Sequence, residues 1–207
     1  MLFGKYIQVS PVESLKYVFD SRNKKNKVAM ITIAKLKKIT TAVVMLLFSG
    51  CVRIPDGIEP VTTFDVNRYV GTWYEIARLD HSFERGLTRV TAVYSLADKG
   101  LIKVLNRGYD PSKKEWKEAE GRAYFVGESN EGRLKVSFFG PFFGGYNIID
   151  LDSENYSYSL VCGPNLNYLW ILSRTPELDK NILDALVNKA KNLGFSTEDL
   201  IYVEHAK

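Results

Sequence analysis

Gly71-Thr72-Trp73-Tyr74-Glu75-Ile76-Ala77-Arg78 is the stretch whose reading decides the fold. It is a β-rich run that opens on a Gly-x-Trp triplet, directly after the short helix-like segment from Phe64 to Tyr69. Alternation along a strand sets Trp73, Glu75 and Ala77 on one face and Tyr74, Ile76 and Arg78 on the other. An indole at the start of such a strand is large enough to plug one end of a small closed barrel.

The face and N–H of that plug need a partner. Tyr168-Leu169-Trp170-Ile171-Leu172-Ser173-Arg174 supplies one, in a second strand that ends in arginine. A guanidinium laid across an indole gains roughly 0.5–2 kcal/mol of cation–π attraction and can donate to neighbouring carbonyls. Gly71, Trp73 and Arg174 are therefore expected to close the barrel base.

Gly-x-Trp in the first strand with Arg at the end of the last resembles the lipocalin family. The runs Phe64-Asp65, Arg68-Tyr69, Gly71 to Arg78, Phe83-Glu84-Arg85-Gly86-Leu87, Lys135 to Phe142 and Tyr168 to Pro176 resemble the bacterial outer-membrane lipoprotein lipocalins in particular. The likeness covers the chain from Val61 onward. It implies an all-β domain, an eight-stranded antiparallel up-and-down lipocalin barrel with one C-terminal flanking α-helix.

At 207 residues, 45% hydrophobic and 13% aromatic, the chain can build one globular domain with little room for a second. The formal charge of +4 misleads. Nine of the 28 basic residues but only two of the 24 acidic ones lie in residues 1–50, so the remainder carries 19 against 22, a balance of −3. Nucleic-acid binders are usually basic, and no nucleic-acid partner is expected.

Residues 1–50 read as an N-terminal extension and lipoprotein signal peptide, with translation expected to start at Met30. Lys35, Lys37 and Lys38 form a basic region, Ile39 to Phe48 an apolar one, and small residues precede Cys51. The apolar run is short against the roughly 20 residues of a spanning helix. Leu46-Leu47-Phe48-Ser49-Gly50-Cys51 resembles a lipoprotein processing site, which implies Cys51 as the acylated anchor; Phe48 departs from the usual leucine. Val52 after the cysteine fits outer-membrane sorting in related lipoproteins, so the expected location is the periplasmic face of the outer membrane. Residues 51–60, with Pro55, Gly57 and Pro60, then read as the acylated cysteine and a short tether, and residues 61–207 as the lipocalin domain.

Short β-branched or aromatic runs follow at Thr88 to Leu96, Leu101 to Tyr109, Trp116 to Val126, Arg133 to Phe139, Tyr146 to Leu151, Tyr156 to Cys162 and Asn167 to Ser173, with turn residues between them. Leu178, Ile182, Leu183, Leu186, Val187, Ala190 and Leu193 recur at helical spacing up to Gly194, and Ile201 to Val203 reads as a short last strand. Charged residues face out unless paired, which fixes the register. Val104, Asn106, Gly121, Ala123, Leu134, Val136 and Phe138 then point inward, and so do Tyr168 and Trp170 if Arg174 meets Trp73. Alternation along the first strand adds Ala77 beside Trp73, and the family's register adds Val90, Ala92, Tyr94, Tyr146 and Ile148. Small residues on adjacent strands favour a cavity over a filled core.

Phe83, Leu87, Phe142 and Phe143 on two loops frame the open end, and such an apolar patch marks a ligand portal or a membrane contact. Glu75 faces apolar walls and needs a partner, either Arg174, a water or a ligand head group. The sequence has no Gly-x-Ser-x-Gly elbow, phosphate-binding glycine loop or His/Cys metal spacing. His81 and His205 are far apart, and Cys162 reads as wall packing, so no enzyme, cofactor or metal is expected. The expected function is binding of a lipid ligand, a fatty acid or lysophospholipid stored or transported in the envelope, by a monomer or homodimer; the alternatives are a structural lipoprotein with a filled barrel that acts through surface contacts and, behind it, a lipid-modifying enzyme using Cys162.

Overall fold

The computed structural model describes residues 52–205. The assignments made above to residues 1–51, including the start at Met30, the signal peptide and Cys51, lie outside the described residues. Eight strands form the barrel: β1 (Gly71–Arg78), β2 (Thr88–Leu96), β3 (Ile102–Asp110), β4 (Glu115–Phe125), β5 (Arg133–Ser137), β6 (Gly144–Leu151), β7 (Tyr158–Cys162) and β8 (Leu169–Ser173). Each pairs antiparallel with the next, and β8 returns to β1, so the sheet closes. Helix α1 (Val66–Tyr69) crosses the base before β1, and α2 (Lys180–Asn192) follows β8.

The base is built as the sequence implies. Trp73 is fully buried, and the Arg174 guanidinium carbon sits 3.9 Å from the centre of its ring. Arg174 also donates to the carbonyls of Thr72 at 3.0 Å, Arg68 at 2.7 Å, Tyr69 at 3.1 Å and Tyr156 at 3.2 Å, while Trp73 Nε1 donates to Tyr69 at 2.8 Å. Gly71 is needed twice over. Its φ is +100°, and a Cβ there would lie 3.2 Å from Arg174 Nη1.

A second apolar cluster lies between the outer wall and α2. Leu186 and Ala190 on the helix meet Ala77, Leu160, Cys162, Leu169 and Ile171 from β1, β7 and β8. Asp179 caps the helix by accepting from the Asn181 and Ile182 amides, and Gly194 in the left-handed region ends it. Cys162 is fully buried in this layer, and burial pushes its thiol up to about 12. Thiol reagents are expected to react with native Cys162 only at the rate of unfolding, and rapid labelling without denaturant would contradict this packing.

Strict alternation fails in the second half of β1. The register against β8 shifts between Glu75 and Ala77, a bulge that sends Ile76 and Ala77 together to the helix-facing cluster and turns Arg78 inward. Ala77 therefore does not face the interior, and Arg78 does not face out. The short strand β9 (Ile201–Tyr202) explains the departure. It pairs with Ala77 and Arg78, Val203 donates to Ile76, and Arg89 of β2 donates to Glu204, so the C-terminal segment lies between the upper halves of β1 and β2.

Residues 52–60 are docked rather than free. Ile58 is buried, Ile54 packs beside it on the helix-facing cluster, and the Arg53 carbonyl accepts from Asn147 at 3.3 Å. Val61 then bonds Ile148 and Gly132 near the base.

Candidate functional site

The interior is apolar at its walls and carries three tyrosines at its floor. Tyr69 and Tyr146 share a hydroxyl–hydroxyl bond of 2.7 Å, and Tyr94 donates to Tyr146 at 2.9 Å. Burial pushes the Tyr69 hydroxyl up to about 12 and those of Tyr94 and Tyr146 well above their ordinary value, so all three remain neutral hydrogen-bonding groups. A cavity of about 10 Å³ remains at this closed end, lined by Phe64, Val66 and Val70 from the α1 region together with Tyr94, Ala123 and Tyr146 among others. That is space for roughly one water, not for an acyl chain.

Above the floor the wall opens. Val104, Ala123, Leu134 and Ile148 are buried, whereas Ala92, Val136, Phe138 and Trp170 belong to the same interior cluster and are only half-buried. Phe138 and Trp170 stand at the rim ends of β5 and β8, whereas Ala92 pairs with Trp73 and Val136 lines the small cavity. Asn106 and Gly121 are also half-buried.

Two residues assigned to the wall sit otherwise. Besides Ala77, Tyr168 precedes β8 at the rim, where it packs over Gly163 and stacks with Phe83 and His81. Val90 is buried with Leu87 over Gly108, which continues the inward parity of Val104 and Asn106 toward the rim. The space left by Gly121 is occupied, since a Cβ there would lie 2.8 Å from the Phe138 ring. Counting small residues overestimates the volume because a neighbour's rotamer fills it.

At the rim the 79–87 loop is locked down by charge. Arg78, 1% exposed, donates to Glu75 Oε1 at 2.5 Å and to the carbonyls of Glu84 and Leu87 at 3.0 and 3.1 Å. Glu84 Oε2 takes Trp170 Nε1 at 3.1 Å and lies 2.9 Å from His81 Nε2. Burial and the nearby Glu84 hold Glu75 well above the usual carboxylate range. Burial acts to raise Glu84 too, but the bonds from His81 and Trp170 and the charge of Arg78 bring it below its ordinary value. The bond Glu75 needs thus comes from Arg78, not Arg174, and Trp170 ties the loop to the wall.

Tyr69, Arg78 and Glu84 have no assignment from the sequence. The available signal for Arg78 is the need of an inward Glu75 for a cation, which only a bulged β1 can satisfy from three residues away. Among the described residues no three His, Cys, Asp or Glu converge as a metal site.

The lipocalin-like domain family matches residues 64–205. The chain is a lipocalin. It is 57% identical over 159 residues to the outer membrane lipoprotein Blc of Vibrio cholerae, covering 77% of this chain and 93% of that one. It is 53% identical over 150 residues to the protein of the same name in Escherichia coli K12, covering 72% and 84%. At this similarity the lipocalin is a bacterial outer-membrane lipoprotein. Insecticyanin from the tobacco hornworm has the same fold, with a TM-score of 0.61 at 19% identity over 75% of this chain and 88% of that one. Lipocalins are binding and transport proteins for small hydrophobic molecules.

Proposed function

We propose that this lipocalin stores or carries fatty acids or lysophospholipids in the cell envelope, anchored through acylated Cys51, and performs no catalysis. The observation that carries the reading is the half-buried state of Phe138 and Trp170, apolar side chains of the interior cluster that stand at the rim end of the barrel. An acyl chain replacing that solvent gains roughly 0.8 kcal/mol per CH₂, enough for micromolar binding without a specific head-group contact. Entry of a long chain requires Phe138 to swing off Gly121, which couples binding to one rotamer change.

Purified protein incubated with fatty acids, lysophospholipids, haem and retinoids is expected to retain acyl lipid at one per barrel in native mass spectrometry. Val136→Trp is expected to raise Kd about tenfold, because the indole displaces roughly two methylenes of chain. Unchanged affinity in that variant would mean that the chain lies elsewhere. A second reading, a structural lipoprotein acting by surface contacts, draws on the Phe138 packing and the water-sized cavity. Failure to retain any lipid would leave that reading standing.

A further inference from the structure

The N-terminal segment fixes which end of the barrel the anchor leaves from. The Arg53 carbonyl is held by Asn147, and it approaches Gly145 so closely that a Cβ there would lie 2.6 Å away. Gly145 and Asn147 open β6 directly after the 138–143 loop, and Asn147 also donates to Cys162 and Gly163 at the rim end of β7. From Arg53 the segment runs away from the rim until Val61 bonds Gly132 and Ile148. A chain spans at most about 3.5 Å per residue, so whatever precedes residue 52 sets out from this side of the barrel. Acyl groups carried there would leave from the open rim, not from the base.

The surface at that rim suits a lipid neighbour. Phe83, Phe139 and Phe142 are 55%, 77% and 59% exposed on the 79–87 and 138–143 loops. Phe139 stands out because β5 ends at Ser137, two residues before it. Aromatic side chains partition to the membrane–water interface, and a concentrated apolar patch on a soluble surface marks a contact. Charge is distributed to match. The hairpin turns at the base carry Asp98, Glu128, Glu131, Asp152 and Glu154 against Lys99, with Arg68 and Arg174 nearby, whereas the rim turn between β3 and β4 carries Lys113 and Lys114, and the 79–87 loop carries Asp80 and Glu84 against Arg85. Anionic lipid attracts the rim and repels the base.

We propose that the open mouth of the barrel faces the phospholipid leaflet that holds the anchor, with Phe83, Phe139 and Phe142 seated among its head groups. The orientation rests on Cys51 as the acylated residue and not on which lipid the barrel binds. A lipid then passes between leaflet and barrel without crossing bulk water, and the acidic base projects away from the membrane.

The test uses full-length acylated protein in phosphatidylethanolamine–phosphatidylglycerol vesicles, with an environment-sensitive fluorophore on Phe139→Cys or, separately, on Glu128→Cys. Buried Cys162 stays unlabelled. The probe at position 139 is expected to shift to the blue and to be quenched by brominated acyl chains several-fold more than the probe at position 128. Equal quenching, or stronger quenching at position 128, would overturn the orientation while leaving lipid binding intact. A blue shift at position 139 without quenching would overturn it in favour of a second copy covering the mouth. Loss of vesicle flotation, with no acyl mass on the Cys51 peptide, would overturn the anchor and this orientation with it.

Discussion

Trp73→Ala is expected to lower the free energy of unfolding by about 3–5 kcal/mol, at the upper end of single core truncations. The indole has no exposed surface, stacks on Tyr69 at 4.7 Å between ring centres, and carries Arg174 over its other side. Its removal leaves a void that Gly71 and α1 cannot fill, takes the π-face from a partly desolvated cation, and frees the Tyr69 carbonyl of its 2.8 Å bond. For a domain of this size the loss corresponds to a fall on the order of 10 °C in melting temperature. Urea denaturation measures it, with an unchanged m-value if the native state is otherwise intact. Arg174→Ala should follow the same direction, since four backbone carbonyls lose a donor together. Acyl-lipid affinity of the folded fraction should not change, because Phe138 and Trp170 lie at the rim ends of β5 and β8. A loss below about 1 kcal/mol would show that the indole does not close the base.

That closure was legible in the sequence because it depends on two side chains whose types are rare and whose positions alternation fixes. The strands were legible for the same reason: turn residues bound them, and the in–out period of β3, β4 and β5 is uninterrupted. The upper half of β1 was not, because its bulge is set by β9, which arrives from the far end of the chain. No local pattern announces it, and a strict period of two puts Ala77 in and Arg78 out. The packing of residues 52–60 was hidden for another reason. Pro55, Gly57 and Pro60 suggest a spacer, but Ile54 and Ile58 find apolar partners beside α2 and seat it on the wall. The state of the cavity was hidden too, since Gly121 reports backbone approach and says nothing about where the Phe138 ring rests.

Arg78→Leu is expected to cost about 3–5 kcal/mol, because it removes a buried, multiply bonded donor and leaves several buried acceptors unsatisfied together. The variant leaves Glu75 buried without its bond and strips the carbonyls of Glu84 and Leu87 of their donors, so the 79–87 loop loses its tie to β1. Hydrogen exchange should localise the damage to that loop and to Trp170, whose indole bonds Glu84. Glu75→Gln should be far milder and should change the pH profile. Glu75 is held well above the usual carboxylate range, first by burial and then by Glu84, so its folded pKa exceeds its unfolded one. The stability linked to its proton is present at acid pH and is lost as pH rises through the folded value. Glutamine keeps a neutral hydrogen-bonding group at every pH, so the loss with rising pH should flatten in Glu75→Gln. The double variant Arg78→Leu with Glu75→Gln should recover part of the single-variant loss, because the orphaned carboxylate is gone. Denaturation curves across neutral and alkaline pH measure all three. Wild-type stability in Arg78→Leu would mean that the loop is held by its apolar contacts alone, and an additive double variant would mean that Arg78 and Glu75 do not act on each other.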